Sequence, residues 1–219
     1  MRIPNMSKVR KNDFDDRTYE IRRISYVINA DGVFYDFSDE KTKVAFITYI
    51  EKIVRTSYEY KTLIKMLKED LDMNSCTYFH NIDESMKIGI EIHHSPFTLF
   101  DICLILLNKF IEEGEPIDPF TLAEAVLYEH YAGRVGLVPL CKTVHELVHA
   151  GQIFIPIEYV FGDVGSFYIQ NWMYMTDLQK ESLLKTISVS QELQETVPHV
   201  LKKKFIYLDI DGMKLPKAI

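Results

Sequence analysis

Lys87-Ile88-Gly89-Ile90-Glu91-Ile92-His93-His94-Ser95-Pro96 decides the fold when it is read with Leu137-Val138-Pro139-Leu140-Cys141-Lys142-Thr143-Val144-His145-Glu146-Leu147-Val148-His149. The first stretch alternates apolar and polar residues, which predicts a half-buried strand whose two terminal histidines point to opposite faces. One of them can face a site while the other faces something else. The second stretch predicts a short apolar strand closed by Pro139 and Leu140. A helix follows, on which His145 and His149, four apart, share a face.

Four of the seven histidines lie in these two segments. Neutral imidazole is the commonest metal ligand, and a site needs three or four donors. A strand-end pair and a helical i, i+4 pair therefore predict a bound divalent metal ion: Zn, Mg or Mn.

Glu91-Ile92-His93-His94 followed by His145-x-x-x-His149 resembles the HNH, or ββα-metal, nucleases, and most of all their colicin-type DNase branch. The resemblance implies that His93, His145 and His149 hold the ion and that His94 is the general base. Glu91 would support the site from behind. It also implies phosphodiester hydrolysis, in which a cation offsets charge on the scissile phosphate and a base takes a proton from the attacking water. Two features differ from the family pattern. The position of the family's middle asparagine is Gly136, and about forty residues separate His94 from it where the family has a short loop.

Two other readings use the same residues. In one, the chain is a catalytically silent HNH-like module that binds a protein or nucleic-acid partner. Val144, Leu147 and Val148 are then a buried stripe and the histidines are structural. In the other, His145-Glu146-Leu147-Val148-His149 is an H-E-x-x-H motif, with Glu146 as the base of a zinc peptidase. Pro139 leaves that motif only a short helical lead-in, and no third histidine follows Ala150-Gly151.

Composition bounds the rest. The 219 residues, 47% of them hydrophobic, suffice for a sizeable core without covalent staples. Cys76, Cys103 and Cys141 are isolated and odd in number, so they predict neither a disulfide framework nor a thiolate zinc site, and a reducing cytoplasm is the expected location. No stretch approaches the roughly eighteen apolar residues of a membrane span. The net charge of −7 argues against a generic nucleic-acid coat. DNA binding then calls for a local basic patch, for which Arg2, Lys8, Arg10 and Lys11, or Lys202 to Lys204, are candidates. A protein partner or a homo-oligomer is also compatible with the sequence.

Residues 1–16 are polar and predict a flexible arm; residues 17–219 predict one α+β domain. Its ββα-metal core comprises residues 86–93 and 136–150, with a helical insertion over 97–134. A hairpin is expected over Glu20 to Asp36, and one or two helices over Lys41 to Asp72 with a possible break near Ser57. A second hairpin, Thr77 to His80 with Met86 to His93, would deliver the histidine pair, with His80 near its turn. In the insertion, Thr98 and Asp118-Pro119 open two amphipathic helices. Glu129, His130 and Tyr131 end the second, close enough to approach the site. The aromatic segment from Tyr159 to Tyr174 reads as core or partner packing. Helices over 178–187 and 191–201 and a closing hairpin with an Asp211-Gly212 turn complete the chain, and Asp209 and Asp211 form a D-x-D that reads as turn acids.

Overall fold

The computed structural model describes residues 26–28, 34–79, 82–115, 117–196, 205–210 and 213–218. The chain is a mixed α+β protein, mostly helical, in which a small two-stranded antiparallel sheet carries the histidines. The expected arm over residues 1–16, His80 and the basic runs at both ends lie outside the described residues. Strands β1 (Tyr26–Ile28) and β2 (Phe34–Asp36) pair antiparallel, as expected of the first hairpin.

Two helices follow, α1 (Glu40–Thr56) and α2 (Tyr58–Glu69). Asp39 caps α1 by accepting from the Thr42 backbone N–H, and Phe46, Ile47, Ile50, Ile53 and Val54 recur at helical spacing on its buried face. Ser57 divides the two. Its extended backbone donates to the Ile53 and Val54 carbonyls, while its hydroxyl accepts from the Tyr60 N–H and so caps α2.

The expected hairpin over 77–80 and 86–93 does not form. Residues 84–86 make a single 3-10 turn ended by Lys87 in the left-handed region, φ 59°, so the strand begins only at Ile90. This strand, β3 (Ile90–His94), pairs instead with β4 (Leu137–Cys141), which is buried along its whole length. Burying five apolar residues stabilises the fold more than pairing with a polar segment nearby in sequence would, because removing apolar area from water dominates the free energy. The register places Ile92 opposite Pro139 and His94 opposite Leu137. Pro139 costs this ladder nothing: its carbonyl accepts from the Thr77 N–H on the other edge of β4, the edge on which its missing N–H also lies. Leu137 uses that same edge, exchanging both backbone bonds with Phe161.

The connection between β3 and β4 is helical, as expected. In α3 (Leu99–Glu113), Thr98 and Asp101 form a capping box and Gly114 at φ 67° ends the helix. In α4 (Pro119–Tyr131), the Asp118 side chain accepts from the Phe120 and Thr121 N–H groups and Pro119 occupies the first turn. These helices pack with α1 in the main core, where Ile47, Ile50, Ile105, Leu107 and Leu122 are almost fully buried. Each contributes roughly 1.5–3 kcal/mol of burial. A second core gathers Ile90, Val138, Leu140, Val144 and Ile155 around the sheet and the helix that follows it.

Helix α5 (Lys142–His149) leaves β4 without a break, and α6 (Val164–Asn171) follows. Phe161, Phe167 and Tyr168 are buried, so the aromatic segment is largely core. The two helices expected over 178–187 and 191–201 are one, α7 (Asp177–Thr196), since nothing between 187 and 191 breaks the hydrogen-bond ladder. Pro198 lies outside the described residues. Strands β5 (Phe205–Ile210) and β6 (Met213–Ala218) form the closing antiparallel pair, with Asp211 and Gly212 outside the described residues. Among the described residues no helix is long and apolar enough to cross a membrane.

Candidate metal centre

Strand periodicity separates the histidine doublet, and the pairing of β3 with β4 decides what each meets. His93 shares a face of β3 with Glu91; His94 shares the other with Ile90. Because α5 starts directly after β4, its first turns lie over the Glu91/His93 face. His145 and His149 there converge on His93, with one ligating atom of each within 4.8 Å of the others. The Nε2 atoms of His145 and His149 are 3.1 Å apart. At this distance one ring nitrogen can donate to the other, or an ion between them can take both lone pairs.

The Glu91 carboxylate lies against Nδ1 of His145. A carboxylate there accepts a hydrogen bond from the Nδ1–H, fixes the ring and leaves Nε2 bare to coordinate, the arrangement by which metal-binding imidazoles are oriented. Burial, followed by the neighbouring His145 and His149, pushes the His93 pKa down to about 4, so this imidazole is neutral at pH 7 and able to donate a lone pair. Three imidazole nitrogens with an outer carboxylate fit a divalent cation. Three protein ligands leave further positions open, as in a catalytic rather than a closed structural site.

His94 faces inward and does not join this cluster. It is 6% exposed, and its Nε2 lies 3.0 Å from Nε2 of His130 on α4. The Tyr60 ring lies parallel to it, with centroids 6.3 Å apart. Burial first, then His130, Arg55 and His93, hold its pKa well below that of a free histidine. His94 nevertheless lines the same cleft as the three clustered histidines, a cavity of about 360 Å³ whose walls also hold Arg55, Tyr60, Lys68, Glu91 and Thr98. Three imidazoles thus converge, and the fourth stands in the wall beside them, turned by the two-residue period of the strand.

The Lys68 ammonium is bound to the Ile90 carbonyl and the Glu84 carboxylate, each at 2.6 Å, and so anchors the start of β3 to α2. Arg55, at the end of α1, has the Glu51 carboxylate at 3.5 Å. Its guanidinium gives the cleft a positive charge.

Gly136 departs from the expected asparagine for a steric reason. A Cβ there would lie 1.9 Å from the Ser95 carbonyl oxygen and within 2.7 Å of Val160 and Val164, so no side chain fits. The strand ends are instead held by the backbone, the Ser95 N–H donating to the Gly136 carbonyl at 3.0 Å. Glu146 is exposed and paired at 3.9 Å with Lys142, so it is not among the groups brought to the cleft. Residues 1–25 and 197–204, with the basic runs proposed for DNA, lie outside the described residues.

Sequence reading missed Arg55, Tyr60 and Thr98, which reach the cleft only through helix packing. The sequence places His130 at a helix end, which suggests solvent, yet it is 3% exposed. Its signal was available: Leu122, Val126 and His130 fall at i, i+4 and i+8, one buried stripe of α4.

Residues 1–211 match the family model described as the bacteriophage G278-like virion protein, and the chain belongs to that family. No curated protein and no solved structure matches.

Proposed function

We propose that this member of the G278-like virion family is a metal-dependent DNA endonuclease built on a ββα-metal core, with β3, β4 and α5 as the two strands and helix. The observation that carries the reading is the convergence of His93, His145 and His149, drawn from strand and helix, with Glu91 orienting His145. These three histidines would hold the ion. When bound, a divalent cation neutralises charge on the scissile phosphate and its leaving oxygen.

The chain's own residues supply the remaining functions. His94, neutral and in the cleft wall, accepts a proton from water as the water oxygen attacks phosphorus, and the bond to the leaving oxygen breaks. Arg55 presents a planar guanidinium that matches two phosphate oxygens. Lys68 is spent on holding the strand. The virion family is compatible with a DNA substrate.

Gly136 favours a second reading, a metal-holding module without catalysis, because the asparagine bond of the HNH nucleases has no counterpart at that position. The exposed Glu146 speaks against the peptidase reading. One experiment separates the three: metal content of the purified chain, then supercoiled-plasmid and casein digestion by the parent, His94→Ala and Glu146→Ala. Plasmid nicking lost with His94→Ala and kept with Glu146→Ala is the expected result. Bound metal with neither activity sinks the nuclease and leaves the silent module; proteolysis lost with Glu146→Ala sinks both.

A further inference from the structure

We infer that His130, on the helix inserted between the two strands, is a positioning residue that holds His94 in the tautomer with Nε2 protonated and Nδ1 bare. This assignment rests on the nuclease reading for its use, but its geometry stands apart from it.

Three ring nitrogens fix the tautomer. Nδ1 of His130 lies 2.7 Å from the Val126 carbonyl oxygen, which can only accept, so that nitrogen carries a hydrogen. The ring is 3% exposed, and the carboxylate nearest along its helix, Glu129, is already engaged in a two-bond fork with Arg134 at 2.7 and 3.0 Å. With that carboxylate taken and the ring out of water, His130 is neutral and its Nε2 is a lone pair. Nε2 of His94 lies 3.0 Å from that lone pair. Two lone pairs at this distance repel, so the hydrogen between them belongs to His94. The other nitrogen of His94, Nδ1, is therefore the one left to accept a proton.

His130 then acts more strongly as the reaction advances. When His94 takes a proton at Nδ1, its Nε2–H becomes part of an imidazolium and donates to His130 as a charge-assisted hydrogen bond. A contact that strengthens only then lowers the barrier without tightening substrate binding. The Tyr60 ring packs parallel to His94 and edge-on to His130. The helical insertion thus contributes to catalysis by carrying a residue that no short loop could place there.

The test joins a spectroscopic and a kinetic measurement on the full-length chain. Long-range 15N–1H correlation spectra of the histidine rings report the His94 tautomer directly in the unmodified protein. Plasmid-nicking kinetics at saturating metal are then compared for the parent, His130→Phe and His130→Gln. The expected result is a hydrogen on Nε2 of His94 in the parent. For His130→Phe the expectation is a kcat lower by about ten- to a hundred-fold with unchanged KM and metal affinity. Partial recovery is expected in His130→Gln, whose amide oxygen can accept. A parent with the hydrogen on Nδ1, or a folded His130→Phe with undiminished kcat, overturns the inference. A folded, metal-loaded parent that cuts no DNA overturns the nuclease reading alone, and the ring spectra still decide the tautomer.

Discussion

The Glu91 carboxylate on β3 rests against Nδ1 of His145 on the helix packed over that face, while Nε2 of the same ring faces Nε2 of His149 at 3.1 Å. One imidazole is thus held from behind by an acid and aimed forward at a shared centre. Removing the acid leaves the ring free to turn and to change tautomer. Glu91→Gln is expected to lower Zn affinity about ten- to a hundred-fold while the fold persists. Competition with a chromophoric chelator measures this, and an affinity equal to the parent's would deny Glu91 its orienting role.

Metal should also stabilise the fold, because the ligands come from β3 and α5 and meet only when these pack. At a free ion concentration a hundred times the dissociation constant, linkage gives about 2.7 kcal/mol. The melting temperature should rise with added Zn and fall back with chelator. His149→Ala, at the exposed end of the cluster, should abolish the rise with little effect on the metal-free melting point. A rise that survives in this variant would place the ion elsewhere.

Acid should weaken the metal-free protein through His130. Burial, as the largest influence, pushes its pKa down to about 4, with Arg55 acting in the same direction and Glu129 opposing. His94 and Tyr60 are also packed against it. Because the folded pKa lies below the unfolded value of about 6.5, the unfolded chain binds the proton first. Stability is therefore full above pH 6.5 and is lost as pH falls toward 4, by roughly 2 kcal/mol per such group between pH 6.5 and 5. Urea midpoints at pH 7.5 and 5, with chelator present, should converge in His130→Gln relative to the parent. An equal pH slope in both proteins would remove His130 as the cause.

Placing at position 136 the asparagine of the HNH nucleases that the sequence resembles should damage the protein rather than improve it. Gly136→Asn would drive a Cβ to 1.9 Å from the Ser95 oxygen, a backbone atom that cannot yield without breaking the ends of β3 and β4. A loss of about 3 kcal/mol or more is expected for Gly136→Ala as well as Gly136→Asn. Chemical denaturation measures it, and near-parent stability would show that the strand ends can move apart.

Arg55→Ala should raise KM for plasmid with a smaller change in kcat, since the guanidinium faces the cleft without touching the histidine cluster. The salt dependence of binding should become shallower by about one unit of slope. An unchanged salt slope would show that no phosphate sits at Arg55.

The amino-acid order alone determined the local chemistry. Alternation over Ile90–His94 set the two histidines on opposite faces, helical spacing put His145 beside His149, and capping residues at Thr98 and Asp118 opened the inserted helices where expected. These follow from periods of two and 3.6 residues and from hydrogen bonds made within a turn, all of which a short window contains. Tertiary packing decided that β3 pairs with a buried strand more than forty residues away, which only the resemblance grouped with it, and not with the adjoining polar segment. It also decided that Gly136 admits no side chain, that Arg55 reaches the cleft and that His94 meets His130. Those outcomes depend on which apolar faces exclude water together, a property of the whole chain that no local pattern encodes.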